Sequence, residues 1–255
     1  AQPLTPETSK NYSGGFTLQP LGGLDITVDA YRIDVDHRIA ITSTLTGDAV
    51  DKILVANGLQ PGLSGQFYTN AISTRTTGID VVAVYRRDLG EWGFLRFNGG
   101  YNHGDTKITG IIANPPQLAA LGQNFPLFGR AAQGNITTSY PKEKVSLGAN
   151  WQRDNLTVNL RSTRYGSFTT ISDLVNGAVV PANDRFFGSK WITDLEVDYK
   201  VRSNVTVVVG ANNIFNEYPD KNGQYNANTG AGQFPGSSPF GFTGGSWYTR
   251  VQYDF

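Results

Sequence analysis

Apolar and polar residues alternate along nine separate segments of the chain. Alternation with a period of two predicts β-strands that have one apolar and one polar face. The predicted strands are residues 9–19, 24–39, 74–86, 92–107, 142–153, 155–164, 190–201, 204–212 and 247–255. The last strand has the clearest pattern, and its apolar face carries Trp247, Thr249, Val251, Tyr253 and Phe255.

The second predicted strand changes phase in its middle. Its apolar positions are even-numbered from Leu24 to Val28 and odd-numbered from Tyr31 to Val35. One extra residue in a strand shifts the phase in this way, so the pattern predicts a β-bulge near Ala30.

The connections between the predicted strands alternate in length. Short connections fall at 20–23, 88–91, around Asp154 and at 202–203, and long ones at 40–72, 109–141, 165–189 and 213–244. In an up-and-down meander this alternation places all tight turns at one end and all long loops at the other. Outer-membrane barrels have that asymmetry. We therefore predict an all-β fold, an antiparallel up-and-down transmembrane β-barrel.

The two faces of the strands support this prediction over a soluble β-sandwich. The apolar face carries aromatic residues near both ends of a strand, for example Trp191 and Tyr199. A lysine or arginine that faces lipid at the bilayer midplane costs about 2–4 kcal/mol, so the charged positions are expected to line the lumen. These positions are Asp80, Arg86, Arg96, Lys144, Arg161, Asp194, Glu196, Asp198 and Arg250.

The number of strands bears on the extent of the barrel. Bacterial single-chain barrels have an even number of strands. An odd meander that ends on the short-turn side predicts that strands are missing upstream. We therefore expect residues 1–255 to be the C-terminal part of a larger barrel.

Composition and candidate chemistry exclude several functions. A net charge of zero gives no electrostatic case for binding nucleic acid, and the absence of cysteine excludes disulfides and thiolate metal sites. His37 and His103 lie near strand ends with no spacing that fixes a nucleophile or a zinc site, so no catalytic residue, metal or cofactor is predicted. Asp34 and Asp36 beside His37 are interpreted as polar residues where a strand leaves the membrane.

Five motifs resemble those of one family, the TonB-dependent outer-membrane receptors. They are LTPETSKNYSGGF at 4–16, LDITVDAYRIDVDHRI at 24–39, FYTNAISTRTTGIDV at 67–81, GANNIFNEYPD at 210–220 and the alternating strand that ends in an aromatic residue. Asn216 stands where aspartate is common in the family. The resemblance extends over nearly the whole chain.

This resemblance implies a 22-stranded barrel in the outer membrane of a Gram-negative bacterium, with a periplasmic C-terminus. An N-terminal plug domain and roughly the first thirteen strands would be absent from this sequence. The receptor would take up a scarce nutrient, most often a ferric siderophore, with energy supplied by the TonB complex. The barrel-assembly machinery would read Trp247, Thr249, Val251, Tyr253 and Phe255 as an insertion signal. The alternatives are a passive porin-like channel and a soluble β-rich binding module.

The sequence leaves the ligand-binding residues unassigned. In the family, the charged lumen residues meet the plug, but they could equally keep a wet wall soluble. Aromatic and charged residues of the long loops could contact a ligand or pack on one another: Phe125, Phe128, Arg185, Phe186, Phe187, Tyr218, Tyr225 and Phe234.

Overall fold

The computed structural model describes residues 3–114, 116, 126–173, 179–223 and 232–255. In these residues, none of the helices is long and apolar enough to cross a membrane. Short 3-10 turns lie at Gly90–Trp92 and Pro181–Asn183. The other elements in chain order are β1 (Thr8–Leu21), β2 (Leu24–Ile41), α1 (Asp48–Ala56), β3 (Tyr68–Asp88), β4 (Phe94–Ile111), α2 (Arg130–Thr137), β5 (Glu143–Arg153), β6 (Leu156–Tyr165), β7 (Phe168–Thr170), β8 (Arg185–Phe187), β9 (Lys190–Arg202), β10 (Val205–Asn212) and β11 (Ser246–Tyr253).

Nine of the strands form one antiparallel sheet. The order is β1-β2-β3-β4-β5-β6-β9-β10-β11, and β7 and β8 pair as a separate hairpin. The predicted nine-stranded up-and-down meander is therefore confirmed. The sheet is open, because β1 and β11 stand at its two ends and do not pair with each other.

The alternation of short and long connections is also confirmed. Four tight turns join β1 to β2, β3 to β4, β5 to β6, and β9 to β10 at one end of the sheet, here called the turn end. The four long connections lie at the other end, here called the loop end. Helices α1 and α2 and the β7–β8 hairpin lie within these long connections, and the sequence predicted none of these three elements.

The register places the predicted apolar positions on one face. A single cross-strand row joins six of them: Phe97, Ala149, Leu160, Leu195, Ala211 and Trp247. This face is not covered by any other layer, since Trp247 is 88% exposed and Val251 is 66% exposed. We call it the apolar face, and the opposite side the polar face.

The predicted β-bulge near Ala30 is wrong. Ala30 pairs regularly with Gly14 on β1 and with Ile79 on β3. The register instead shifts further along β2, beside His37, whose φ is +55°. The phase change has a packing cause: Tyr31 lies on the polar face against Gly78, where a β-carbon would approach the tyrosine ring to 2.4 Å.

The main cluster of buried hydrophobic residues lies at the loop end of the sheet. Ala71, Ile72 and Phe128 are each less than 5% exposed, and Ala132 and Ile136 of α2 pack against them. The loops also share backbone hydrogen bonds, such as Ser43 N–H to the carbonyl oxygen of Leu127 at 3.0 Å. The cluster thus joins the start of β3 to the loop before β5, and the hydrogen bond joins that loop to the loop before β3.

Asn70, in the motif at residues 67–81, connects the start of the chain to the irregular part of β2 by hydrogen bonds. Its side-chain amide donates to the carbonyl oxygens of Thr5 at 2.8 Å and His37 at 2.6 Å, and its side-chain oxygen accepts from Thr5 N–H at 2.8 Å. The Asn70 side chain thus provides a hydrogen-bond donor for the backbone carbonyl of His37, which the register shift takes out of the regular β-ladder.

Candidate functional site

The polar face brings together all nine charged residues that the sequence assigned to the lumen. The register of β3, β4, β5, β6, β9, β10 and β11 alternates them with the apolar positions. They are Asp80, Arg86, Arg96, Lys144, Arg161, Asp194, Glu196, Asp198 and Arg250. Their predicted placement on one face is therefore confirmed.

Most of these charges are partnered on the wall itself. Arg161 donates to Asp194 at 2.7 Å, and Arg250 lies 3.7 Å from Glu196. The Tyr248 hydroxyl donates to Glu196 Oε2 at 2.6 Å. A cavity of about 590 Å³ lies in front of these groups, and its floor includes Gly100, Ser146, Asn150 and Asn159.

A second group of polar-face residues lies where β5, β6 and β9 reach the loop end. Lys144, Tyr165 and Lys190 are cross-strand neighbours in one row. The Lys144 ammonium lies 5.5 Å from the centre of the Tyr165 ring, and that ring lies 5.6 Å from the ring of Phe240. Lys190 Nζ lies 3.0 Å from Asp220 Oδ1. We call Lys144, Tyr165, Lys190, Asp220 and Phe240 the mouth cluster.

Asp220 is held in its charged form. The Gly188 N–H donates to its Oδ2 at 2.6 Å, and Lys190 pairs with its other oxygen. The backbone hydrogen bond first and the lysine second lower the pKa of the Asp220 carboxyl. Lys144 faces the Tyr165 ring and makes no ion pair with the residues that the structure describes, so its ammonium can still bind an anion.

The predicted loop aromatics divide into packed and exposed residues. Phe128 is 4% exposed in the loop core, and Phe187 is 3% exposed and stacks on Phe168 at 4.9 Å. Phe186 of the same hairpin is 69% exposed. Phe234 stacks on Tyr218 at 5.6 Å. Arg185 begins β8, while Phe125 and Tyr225 lie outside the described residues.

An ion pair joins the loop before β5 to the loop before β9. The Arg130 guanidinium on α2 binds both carboxylate oxygens of Asp184, one of them at 2.6 Å. Asp184 also accepts the Ser172 N–H at 3.0 Å. The Arg130 hydrogen bonds first, and the Ser172 amide second, lower the pKa of Asp184 from 3.8 to about 2.

We expect Asp184→Asn to loosen both loops. A carboxyl with a lowered pKa contributes stability above its ordinary pKa of 3.8 and loses that contribution as the pH falls toward about 2. The protection factor of the Ser172 amide, its exchange rate relative to the intrinsic rate at the same pH, should therefore fall in the variant at neutral pH and in the parent near pH 2. Asp48→Asn, an exposed carboxylate of α1, is the control. Equal exchange in parent and Asp184→Asn would contradict the role of this pair.

Asn213 organises the turn encoded by GANNIFNEYPD. Its φ of +51° reverses the chain after β10, and its backbone N–H donates to Asp194 Oδ1 at 2.9 Å. Its side-chain amide donates to the Glu217 carbonyl at 2.8 Å. Asn216, with φ +56°, accepts the Gly245 N–H at 2.9 Å just before β11. The amide oxygen accepts that hydrogen bond as an aspartate would, so the departure from the family pattern preserves the contact.

The histidines and acidic residues of the predicted polar strand ends do not gather around a metal. Asp34 binds the guanidinium groups of Arg32 at 2.8 Å and Arg75 at 2.6 Å. Within the described ranges, no group of three or more His, Asp or Glu residues could hold a metal ion. His103 lies 3.8 Å from a Glu143 oxygen.

The residues of the predicted insertion signal lie on the last strand of the open sheet. Trp247, Thr249, Val251 and Tyr253 share the apolar face of β11, which pairs with β10. Phe255 follows the strand, and its ring packs edge-on against Tyr253 at 5.0 Å.

Comparisons with known proteins agree with this architecture. A family model described as TonB dependent receptor-like, beta-barrel matches residues 1–214. None of the curated protein sequences compared with the chain matches it.

Solved structures of larger barrels superimpose on the chain. The FrpB iron transporter from Neisseria meningitidis (F3-3 variant) has a TM-score of 0.61 and 14% identity over 100% of this chain and 31% of its own. The pyoverdine outer membrane receptor FpvA from Pseudomonas aeruginosa, bound to pyoverdine, has a TM-score of 0.59 and 16% identity over 99% of this chain and 30% of its own. A mutant ferric enterobactin receptor, PfeA, from the same species has a TM-score of 0.60 and 15% identity over 98% and 31%.

These matches concern the fold, and the chain spans about a third of the length of the structures it resembles. The barrels of this family are outer-membrane proteins of Gram-negative bacteria and act as transport receptors. Because the family model covers most of the sequence, the chain belongs to the TonB-dependent receptor-like β-barrel family.

Proposed function

We propose that residues 1–255 form the C-terminal wall of a receptor that takes up a ferric siderophore or a similar iron complex with energy from TonB. The complete receptor would be a 22-stranded barrel with a plugged lumen. The family match is the observation that carries this proposal. The FrpB, FpvA and PfeA structures support iron complexes as the substrate class, since their names refer to iron, pyoverdine and ferric enterobactin.

The orientation of the proposed barrel follows from its connections. Short turns face the periplasm and long loops face the exterior in bacterial outer-membrane barrels. The turn end and the C-terminus would therefore be periplasmic, and the loop end extracellular. Trp247, Thr249, Val251, Tyr253 and Phe255 would serve as the insertion signal for the barrel-assembly machinery, and β11 would close the barrel against its first strand.

The mouth cluster is the proposed contact surface for the ligand. It combines two lysines with the rings of Tyr165 and Phe240 at the extracellular end of the polar face. Iron chelates are commonly anionic and present flat rings, which ammonium groups and aromatic faces bind. The buried cluster of Ala71, Ile72 and Phe128 and the Arg130–Asp184 ion pair would hold the neighbouring loops in place around the mouth cluster.

The uptake of radioactive iron tests the proposed function. Cells that carry the complete receptor as their only iron-chelate receptor would be given ferric pyoverdine or ferric enterobactin. We expect uptake of at least one chelate, and its loss when the TonB complex is removed. Uptake that persists without TonB would support a passive channel instead. Absence of uptake for every chelate tested would reject the substrate class.

Charge removal in the mouth cluster should weaken binding of the transported chelate. A hydrogen bond to a charged group contributes about 1.5–3 kcal/mol, so Lys144→Ala and Lys190→Ala are each expected to raise the Kd about tenfold or more. Lys200→Ala, on the polar face at the turn end, is the matched control and should leave the Kd unchanged. Fluorescence titration of the purified receptor measures these constants. Equal effects of all three substitutions would place the ligand elsewhere.

A further inference from the structure

Ionic residues follow the apolar band directly on three neighbouring strands, on the same outward-facing side. On β4 His103 comes after Tyr101, and on β5 Glu143 comes before Val145. On β6 Arg164 lies between Val145 on one side and Trp191 on the other. Tryptophan on the lipid face of a barrel marks the membrane–water interface. These ionic side chains therefore lie at the depth of the lipid headgroups.

A cavity of about 290 Å³ opens at this place, between the barrel wall and the loops above it. The wall contributes His103, Glu143 and Arg164, and Lys142 directly precedes β5. The loops contribute hydroxyl and aromatic groups, namely Thr138, Tyr140, Ser167, Thr169 and Phe186. Tyr140 is 60% exposed and Phe186 is 69% exposed, so both rings stand at the rim rather than in the protein interior.

The polar groups of this cavity are only loosely engaged with one another. Arg164 lies 3.5 Å and His103 lies 3.8 Å from the Glu143 carboxylate, both longer than a charge-assisted hydrogen bond. The Nδ1 atom of His103 is buried and has no hydrogen-bond partner within the part of the chain that the structure describes. Lys142 pairs with Asp105 at 2.5 Å but is 44% exposed. The lining of the cavity thus holds two cations and an unused imidazole nitrogen beside the carboxylate of Glu143, and one of the cations, Lys142, is paired with Asp105 next to the cavity.

We propose that this cavity binds the phosphate group of an outer-leaflet lipid headgroup. Lys142 and Arg164 would supply the positive charge, and the hydroxyls of Ser167 and Thr169 the additional donors. Tyr140 and Phe186, at the rim of the cavity, would contact the lipid headgroup. A lipid fits better than a soluble anion because the cavity lies on the apolar side of the wall, beside Trp191. The proposal rests on the membrane location of the barrel and not on the chelate that it transports.

Native mass spectrometry of the complete receptor in detergent tests this proposal. The probes are dioleoyl phosphatidic acid, phosphatidylcholine with the same chains, and inorganic phosphate as a soluble competitor. The test variant is Lys142→Gln/Arg164→Gln. Its matched control is Lys52→Gln/Lys221→Gln, which removes two exposed charges outside the cavity, one on α1 and one in the loop after β10.

We expect the parent receptor to prefer phosphatidic acid over phosphatidylcholine, and the test variant to lose about tenfold in affinity for phosphatidic acid while the control keeps the parent value. Equal affinity of the parent for both lipids would overturn the proposal without reference to any variant. Equal affinity of parent and test variant for phosphatidic acid would do the same. Competition by inorganic phosphate at the concentrations that lipid requires would assign the cavity to a soluble anion instead. Each outcome is independent of iron uptake, so a failure here leaves the proposed function standing.

Discussion

Leu147→Lys in the complete receptor is expected to lower the free energy of unfolding by about 2–4 kcal/mol. Leu147 lies in the middle of β5 on the apolar face and is 49% exposed in the open sheet. In a membrane this exposed surface would be covered by acyl chains, where an ammonium group has no water or partner. Urea unfolding of the receptor in lipid vesicles measures the loss.

Ser146→Lys is the matched control for this substitution. Ser146 is the preceding residue, and its side chain lines the cavity on the polar face. The same ammonium group would there meet water and the mixed charges of the polar face, so we expect a change below about 1 kcal/mol. Similar losses for the two lysines would contradict the assignment of the two faces.

Gly23→Ala is expected to destabilise the β1–β2 hairpin by about 1–3 kcal/mol. Gly23 has φ +83°, and a β-carbon there would lie 2.3 Å from the backbone oxygen of Arg86 on the neighbouring strand β3. The backbone of β3 also forms a hydrogen bond to this turn, in which the Arg86 N–H donates to the carbonyl oxygen of Gly23 at 2.8 Å. The clash would therefore displace β3 as well as strain the turn.

Gly22→Ala provides a control one residue away. A β-carbon at Gly22 would have no atom within 4 Å, and its φ lies outside the left-handed region. We expect the Gly22 variant to unfold at the same urea concentration as the parent and the Gly23 variant at a lower one. If alanine is tolerated equally at both positions, the close approach of the turn to β3 does not determine stability.

The strands and their faces could be predicted from sequence because each face of the sheet meets one kind of environment. All nine strands of the main sheet were found, and the largest error at a strand start was at β3, which begins at Tyr68 rather than near residue 74. The residues missed there, such as Ala71 and Ile72, are buried by the loops and do not alternate. At the start of β3, contacts with residues distant in sequence, such as Phe128, cover positions on both faces of the strand, so apolar and polar residues no longer alternate there.

The helices and the register shift could not be predicted for the same physical reason. Gly134 lies in the middle of the short helix α2, so the local sequence does not favour a helix there. The helix is held instead by Ala132 and Ile136, which pack against the core around Phe128. The irregularity at His37 depends on Asn70, which is 33 residues away along the chain. Local patterns do not contain such long-range partners.

The candidate site could be predicted only at the level of composition. The alternation placed Lys144 on the polar face, but it did not indicate that Tyr165, Lys190 and Phe240 surround it. Phe240 comes from a loop that is 75 residues beyond Tyr165 in sequence number, and only the fold brings their rings to 5.6 Å. The predicted strand ended at residue 164, so Tyr165 was assigned to the following loop, whereas the structure makes it the last residue of β6.

The most direct test of the two-faced wall uses the absence of cysteine from this chain. Leu147→Cys and Ser146→Cys would each be labelled with a polarity-sensitive fluorophore in a complete receptor that has no other cysteine. The receptor would then be placed in vesicles that contain lipids brominated on their acyl chains. We predict strong quenching by these lipids for the label at position 147 and little quenching for the label at position 146. Equal quenching at both positions, or stronger quenching at position 146, would contradict the account.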